Sequence, residues 1–203
     1  MKVGVLGGTF DPPHLGHLIL GQEAYEALGL AQVLFVPAGK PWRKAGGELS
    51  PREHRLAMVR LAVGDNPAFA VSTSEVDRRG PSYAADTVAE LAAQFGPETE
   101  LFLIMGADSL ADFPHWHEPE RILKLARLAV AERAELEQAG FGEGLPDELA
   151  AVMRERVVWL HMPSIAISAS AVRERVGRGL SIRYWVPAAV EEYIRHHGLY
   201  ARD

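Results

Sequence analysis

Gly7-Gly8-Thr9-Phe10-Asp11-Pro12-Pro13-His14-Leu15-Gly16-His17 is the stretch on which the fold turns. Ahead of it, Val3-Gly4-Val5-Leu6 is an apolar run that predicts a first β-strand. Behind it, Leu18-Ile19-Leu20-Gly21-Gln22-Glu23-Ala24 predicts a helix. A glycine pair closing a strand, then two histidines three apart where a helix begins, suits a polyphosphate. Glycine lets the backbone come close to a ligand. The helix start offers unpaired N–H groups and the positive end of a dipole. Two imidazoles add donors for phosphate oxygens.

Outward from this stretch, strand-like runs alternate with helical patterns. Gln32-Val33-Leu34-Phe35-Val36-Pro37 predicts a second strand, followed by a loop rich in glycine, proline and basic residues. Ser50-Pro51-Arg52-Glu53 predicts a helix start, with Ser50 as N-cap and Glu53 closing a capping box. Leu56, Val59 and Val63 continue that helix until Gly64. Residues 69–72 form a short strand, and 82–95 a helix that stops at Gly96. Buried strands are expected at 101–106, 128–131 and 157–160, and closing helices at 168–176 and 187–197. The Gly- and Glu-rich stretch 135–146 reads as a mobile surface loop. This alternation implies an α/β fold: a Rossmann-like, open, mostly parallel sheet with helices on both faces. Ligands of such sheets bind beyond the carboxyl ends of the strands. Residues 7–17, 37–44, 106–108 and 167–168 all follow predicted strands.

The 203 residues fit a single domain, with a small C-terminal helical part over about 165–203. A chain of this size buries roughly 70% of its unfolded surface. There are no cysteines, which excludes disulfides, thiolate nucleophiles and cysteine-ligated zinc. No apolar run approaches a membrane span, and the first strand begins too early for a signal peptide, so a cytoplasmic location is expected. A net charge of −6 argues against a nucleic acid polymer as partner. A small anionic ligand needs only a local concentration of positive groups. Of the four lysines, at 2, 40, 44 and 124, two lie with Arg43 inside Gly39-Lys40-Pro41-Trp42-Arg43-Lys44. A solvated surface loop explains that cluster equally well.

Two common glycine signatures are absent. There is no Gly-Lys-Ser/Thr, hence no P-loop, and the spacing is not G-x-G-x-x-G. Residues 7–17 instead resemble the G-x-F-D-P-x-H-x-G-H signature of the nucleotidyltransferase superfamily, with Phe10, Asp11, Pro12, His14, Gly16 and His17 in register. Ile167-Ser168-Ala169-Ser170-Ala171-Val172-Arg173 resembles that superfamily's I-S-x-T-x-I-R element, departing at Ser170 and Val172. Within the superfamily, Gly106-Ala107-Asp108-Ser109-Leu110, then Phe113-Pro114-His115-Trp116, look like bacterial nicotinate-nucleotide adenylyltransferases. So does Pro81-Ser82-Tyr83-Ala84-Ala85-Asp86-Thr87, with Ala84 in place of a usual Thr. Residues 37–44 stand where that family has P-x-x-x-P-P-H-K and depart from it at Trp42 and Arg43.

The resemblance implies adenylyl transfer from ATP to nicotinate mononucleotide by direct displacement, with Mg²⁺ carried mainly on ATP phosphates and no metal ligands on the protein. It implies that His14 and His17 are the catalytic pair, on the phosphates. Gly8, Thr9, Phe10, Gly106 and Asp108 would complete the ATP site, Asp108 at the ribose. Ser168, opening its helix, would hold the triphosphate tail with Arg173 nearby. Lys40, Lys44, Tyr83, Thr87 and Trp116 would receive the mononucleotide, with Trp116 stacking on the pyridine ring. Other roles compete: Asp11 as a turn brace, Trp116 as core, Arg173 as a helix-surface charge, Ser168 as a simple N-cap. No Ser-His-Asp or Cys-His set is recognisable, which suits a reaction whose attacking phosphate is already ionised. A transferase for another phosphorylated acceptor such as phosphopantetheine, a silent nucleotide-binding regulator, and a hydrolase with His14, His17 and Asp11 on a metal are the alternatives. The chain is compatible with a homo-oligomer.

Overall fold

The computed structural model describes residues 1–42, 49–131 and 147–201, with the side chains of 147 and 148 excepted. The chain runs β1 (Lys2–Gly8), α1 (Leu15–Leu28), β2 (Gln32–Pro37), α2 (Arg52–Val63), β3 (Phe69–Val71), α3 (Ser74–Asp77) and α4 (Ala84–Phe95). It continues through β4 (Glu100–Gly106), α5 (Ala107–Asp112), a 3-10 turn (Phe113–His115), α6 (Pro119–Leu125), β5 (Ala126–Ala131), α7 (Asp147–Arg156), β6 (Val157–Leu160), α8 (Ala169–Gly177) and α9 (Ala188–His196). The six strands form one sheet in the order β3-β2-β1-β4-β5-β6, every neighbouring pair parallel. The expected α/β, Rossmann-like sheet is therefore present.

Parallel strands covered on both faces read as continuous apolar runs, and the pleat sorts them. In β4, Leu101, Leu103 and Met105 enter the core under α4 and α6, beside Val88, Leu91, Ile122 and Leu123. Phe102 and Ile104 enter the opposite core, with Ala24 of α1 and Val59 and Val63 of α2. Gly4 of β1 is squeezed on this second side: a Cβ there would lie 2.7 Å from Leu30 Cδ1 and 2.8 Å from Ile104 Cδ1. A third cluster joins Met58 of α2 to Val172, Ile182, Val186, Val190 and Ile194, so the C-terminal helices pack on the back of α2. Among the described residues, no helix is long and apolar enough to cross a membrane.

The helix start expected at residue 50 differs from the structure. The N-cap of α2 is Pro51, with no side-chain cap. Ser50 is diverted: its N–H donates to Asp11 Oδ2 at 3.1 Å. The short helices α3, α5 and α6, together with α7, fall where the sequence shows no sustained periodicity; α3, α5 and α6 are at most seven residues long. Stretch 135–146 lies outside the described residues.

What fastens the loops at the top of the sheet is a buried arginine. Arg55 is 2% exposed and shares the inner face of α2 with Met58, Val59 and Val63. Its guanidinium donates to Thr9 O (2.8 Å), Ala38 O (2.6 Å) and Gly39 O (3.1 Å), and its Nε to Ser50 O (3.1 Å). The loop after β1, the loop after β2 and the approach to α2 thus meet on one side chain. A Cβ on Gly39 would overlap the Glu75 backbone carbonyl, so the second loop is tightly packed as well. Arg55→Met would leave these carbonyls without their donors and lower unfolding free energy by about 3–5 kcal/mol in denaturant titrations. Arg55→Lys would recover only part, because an ammonium cannot reproduce the fork.

Candidate active site

The chain departs from β1 to one side of the sheet and returns as β4 on the other, so the switch point lies between these two strands. A cleft of about 270 Å³ opens there. His14, Gly16 and His17 enter it from the start of α1, Gly106, Ala107 and Asp108 from the end of β4, and residues 162–165 with Ile167 from the segment after β6.

His14 and His17 stack at the start of α1, with ring centroids 3.7 Å apart. The contact needs Gly16 between them: a Cβ there would come within 3.0 Å of His14 Nδ1. His17 Nδ1 accepts the His14 backbone N–H at 3.2 Å. That bond spends one ring nitrogen as acceptor, so the neutral ring carries its proton on Nε2 as a donor. The Phe10 ring braces His17 edge-on at 4.9 Å. Phe10 itself is 2% exposed and belongs to the core below the cleft, so its ring supports the site from beneath instead of lining it. Its φ of 50° is a left-handed conformation held by that packing.

His14 is buried, and its Nδ1 has no hydrogen-bond partner among the described residues. Burial lowers its pKa to about 4 and keeps the ring neutral at pH 7. An unsatisfied buried nitrogen beside a cleft is a costly feature that a ligand would relieve.

Asp11 is a junction. Its carboxylate is 2% exposed. Oδ1 accepts from the Tyr200 hydroxyl at 2.6 Å, Oδ2 from Ser50 N–H, and the Asp11 carbonyl from Arg173 Nη1 at 2.7 Å. The expectation of a turn brace describes this well. Arg173 is therefore engaged with the signature loop, at an opening it shares with Ser170, Glu174 and Tyr200. Ser168 is exposed and caps α8 by accepting the Ala171 N–H at 3.2 Å.

A second cluster lies beyond β2. Lys40 and Ser82 exchange bonds: Ser82 N–H donates to Lys40 O at 2.9 Å, and Lys40 N–H to Ser82 Oγ at 3.1 Å. The tie brings Trp42 to 5.9 Å from the Tyr83 ring, and Tyr83 in turn stacks on His117 at 4.2 Å. Trp116 is half-buried against Phe113, and its indole N–H donates to Asp112 at 3.3 Å. Thr87 is buried, with its hydroxyl donating to Glu75 Oε1 at 2.6 Å and receiving Arg78 at 3.1 Å. Burial raises the Glu75 pKa. Thr87 thus organises the base of this region from within the core. Lys44 and Arg43 lie outside the described residues. His117, Arg55 and Tyr200 were not singled out by sequence.

The cytidylyltransferase-like family model matches residues 5–175. The chain belongs to that family. Among its cytidylyltransferase-like relatives, a probable nicotinate-nucleotide adenylyltransferase of Dehalococcoides mccartyi is 44% identical, over 100% of this chain and 98% of that protein. A probable nicotinate-nucleotide adenylyltransferase of Roseiflexus is 48% identical over 98% and 97% of the two chains. The nicotinic acid mononucleotide adenylyltransferase of Plasmodium falciparum, solved in complex with NaAD, superposes with a TM-score of 0.76 over 98% of this chain and 97% of that one, at 16% identity. The family resemblance read from the motifs is thus borne out, and the superposition independently supports the cytidylyltransferase-like fold.

The His14 environment sets a pH dependence. Its folded pKa lies below the ordinary 6.5, so only the unfolded chain takes the proton between these values. Stability is fully present above about pH 6.5 and falls as the pH drops toward 4, by on the order of 3 kcal/mol in total. Unfolding free energies measured from pH 7 to 4 should fall less steeply for His14→Gln than for the parent; equal slopes would remove burial of His14 as the cause.

Proposed function

We propose that the chain transfers the adenylyl group of ATP to nicotinate mononucleotide, giving deamido-NAD and pyrophosphate. The carrying observation is the His14–His17 pair at the cleft, in a chain that matches nicotinate-nucleotide adenylyltransferases along its length. A mononucleotide phosphate oxygen attacks the α-phosphorus. The bond from that phosphorus to the bridging oxygen breaks, and pyrophosphate leaves with the electron pair. The nucleophile needs no activation, so the protein's task is to position and to stabilise charge.

His17, a donor through Nε2, is assigned to the phosphate under attack, and a preorganised donor there is worth about 3–4 kcal/mol. His14 is neutral in the free protein, and the negative charge of a triphosphate favours its protonated, doubly donating form. Gly8 and Thr9 contribute backbone groups, Gly106 leaves room for the nucleoside, and Asp108 takes the ribose. Ser168 and the start of α8 receive the triphosphate tail. Arg173 holds the signature loop through Asp11. Trp116 stacks on the pyridine ring, with Tyr83 beside it and Thr87 fixing the backbone below. Lys40, exposed at the rim, offsets substrate charge together with Lys44.

The cleft lining fits Mg²⁺ carried in on ATP. Among the described residues it offers imidazoles and one carboxylate, Asp108, which is assigned to the ribose. The ion would be held through phosphate oxygens and water and would neutralise charge on the leaving pyrophosphate. The residues from about 165 onward form a helical part of the one domain, and the protein works in the cytoplasm on free nucleotides; the net charge of −6 speaks against a nucleic acid polymer as partner.

Pyrophosphate release tests this directly. With ATP and Mg²⁺, nicotinate mononucleotide should give turnover well above both the amide mononucleotide and phosphopantetheine; ATP binding without pyrophosphate would mark a regulator. His17→Ala should lower kcat about 10²–10³-fold with folding intact; near-parental turnover would remove His17 from the chemistry. Trp116→Ala should raise KM for the mononucleotide and leave ATP affinity unchanged, whereas equal effects on both substrates would make Trp116 structural.

A further inference from the structure

The last turn of the chain reaches back to the loop that carries His14. After α9, Gly198 (φ 61°) reverses the chain, and Leu199 N–H is held by Ile194 O at 3.0 Å. Tyr200 then adopts φ 65°, a left-handed conformation that side-chain-bearing residues seldom take. Such a backbone persists where surrounding contacts over-determine it. Here the contact is the Tyr200 hydroxyl on Asp11 Oδ1, across 189 residues of sequence.

We propose that Tyr200 is a positioning residue for the ATP site, acting through Asp11. The proposal rests on the reading that the stacked histidines receive a triphosphate. Asp11 stands three residues before His14, and a carboxylate so near a bound polyphosphate is a liability unless it is held and compensated. Both of its oxygens are engaged, Oδ1 by Tyr200 and Oδ2 by Ser50, while Arg173 holds the carbonyl of the same residue. The Tyr200 bond reaches Asp11 from a segment outside the nucleotide-binding motifs, 189 residues along the chain. Burial and the neighbouring carboxylate push the phenol pKa well above its ordinary value, so the hydroxyl remains a donor at every working pH. Removing the hydroxyl alone leaves the ring in its cluster with Leu199 and Ile194. It also leaves Asp11 Oδ1 buried and without its donor, so that the carboxylate's charge is less compensated and its orientation rests on Ser50 N–H at Oδ2.

The test is a double-mutant cycle of Tyr200→Phe with Asp11→Asn. It reads Kd for α,β-methylene ATP with Mg²⁺ by calorimetry, KM for ATP and for nicotinate mononucleotide, and the melting temperature. Tyr200→Phe should raise the analogue Kd and the ATP KM about tenfold, the scale of one lost bond to a charged group, with the mononucleotide KM within about twofold. On the Asp11→Asn background the same change should alter Kd by less than about twofold. Two results overturn the proposal: Tyr200→Phe lowering the melting temperature with Kd unmoved, or the tenfold effect persisting on Asp11→Asn. Should Asp11→Asn fail to fold, the Kd of Tyr200→Phe alone still decides. The calorimetric arm needs no acceptor, so failure of parental turnover with nicotinate mononucleotide would overturn the acceptor assignment and leave the Tyr200 result standing.

Discussion

The Arg55 guanidinium sits 2% exposed against the carbonyls of Thr9, Ala38, Gly39 and Ser50, and the top of the sheet depends on it. A parallel sheet hydrogen-bonds its strands but not the loops that leave their carboxyl ends. Here those loops carry the His14–His17 pair on one side and the Lys40–Trp42 segment on the other, and one side chain fastens both. Burial lowers the Arg55 pKa, and the field of nearby Asp11 works in the opposite direction. Asp11 then links the same loop to Ser50, Arg173 and Tyr200. The loop that carries the histidine pair is therefore held by charge and by carbonyl acceptors, while the strands beneath are held by apolar packing.

That division explains what the sequence disclosed. Apolar runs such as 101–105 and 33–36 announce strands directly, because both faces are covered and every position is apolar. The pattern of residues 7–17 is dense enough to locate the cleft, since His14, Gly16 and His17 all line it at one helix start. Ser50 misled: it fits an N-cap by residue type, but its N–H donates to Asp11 Oδ2, 39 residues away. Thr87 sits in a motif that suggests substrate contact, yet Glu75 and Arg78 claim its hydroxyl. Arg55 left a faint trace, an arginine in register with Met58, Val59 and Val63 on the buried face of its helix. Tyr200 left none, because its partner lies at the other end of the chain. Periodicity reports burial, and only the fold reports which distant polar groups meet.

The site's chemistry follows from the same economy of groups. His17 has its tautomer fixed by the backbone of the helix it begins, and His14 is kept neutral by burial. Neither ring has to act as nucleophile or base. A chain without cysteine or a serine triad can then carry out the transfer, provided two anionic reactants are held in line and the developing charge is met by donors already in place.

Direct transfer has a stereochemical signature. ATP made chiral at the α-phosphorus by sulfur and oxygen isotopes would be turned over with nicotinate mononucleotide, and the configuration of the dinucleotide product determined. A single in-line displacement between substrates held by this cleft predicts inversion at phosphorus. Retention would require an adenylylated side chain as an intermediate and would contradict the account of a site that positions and stabilises without attacking.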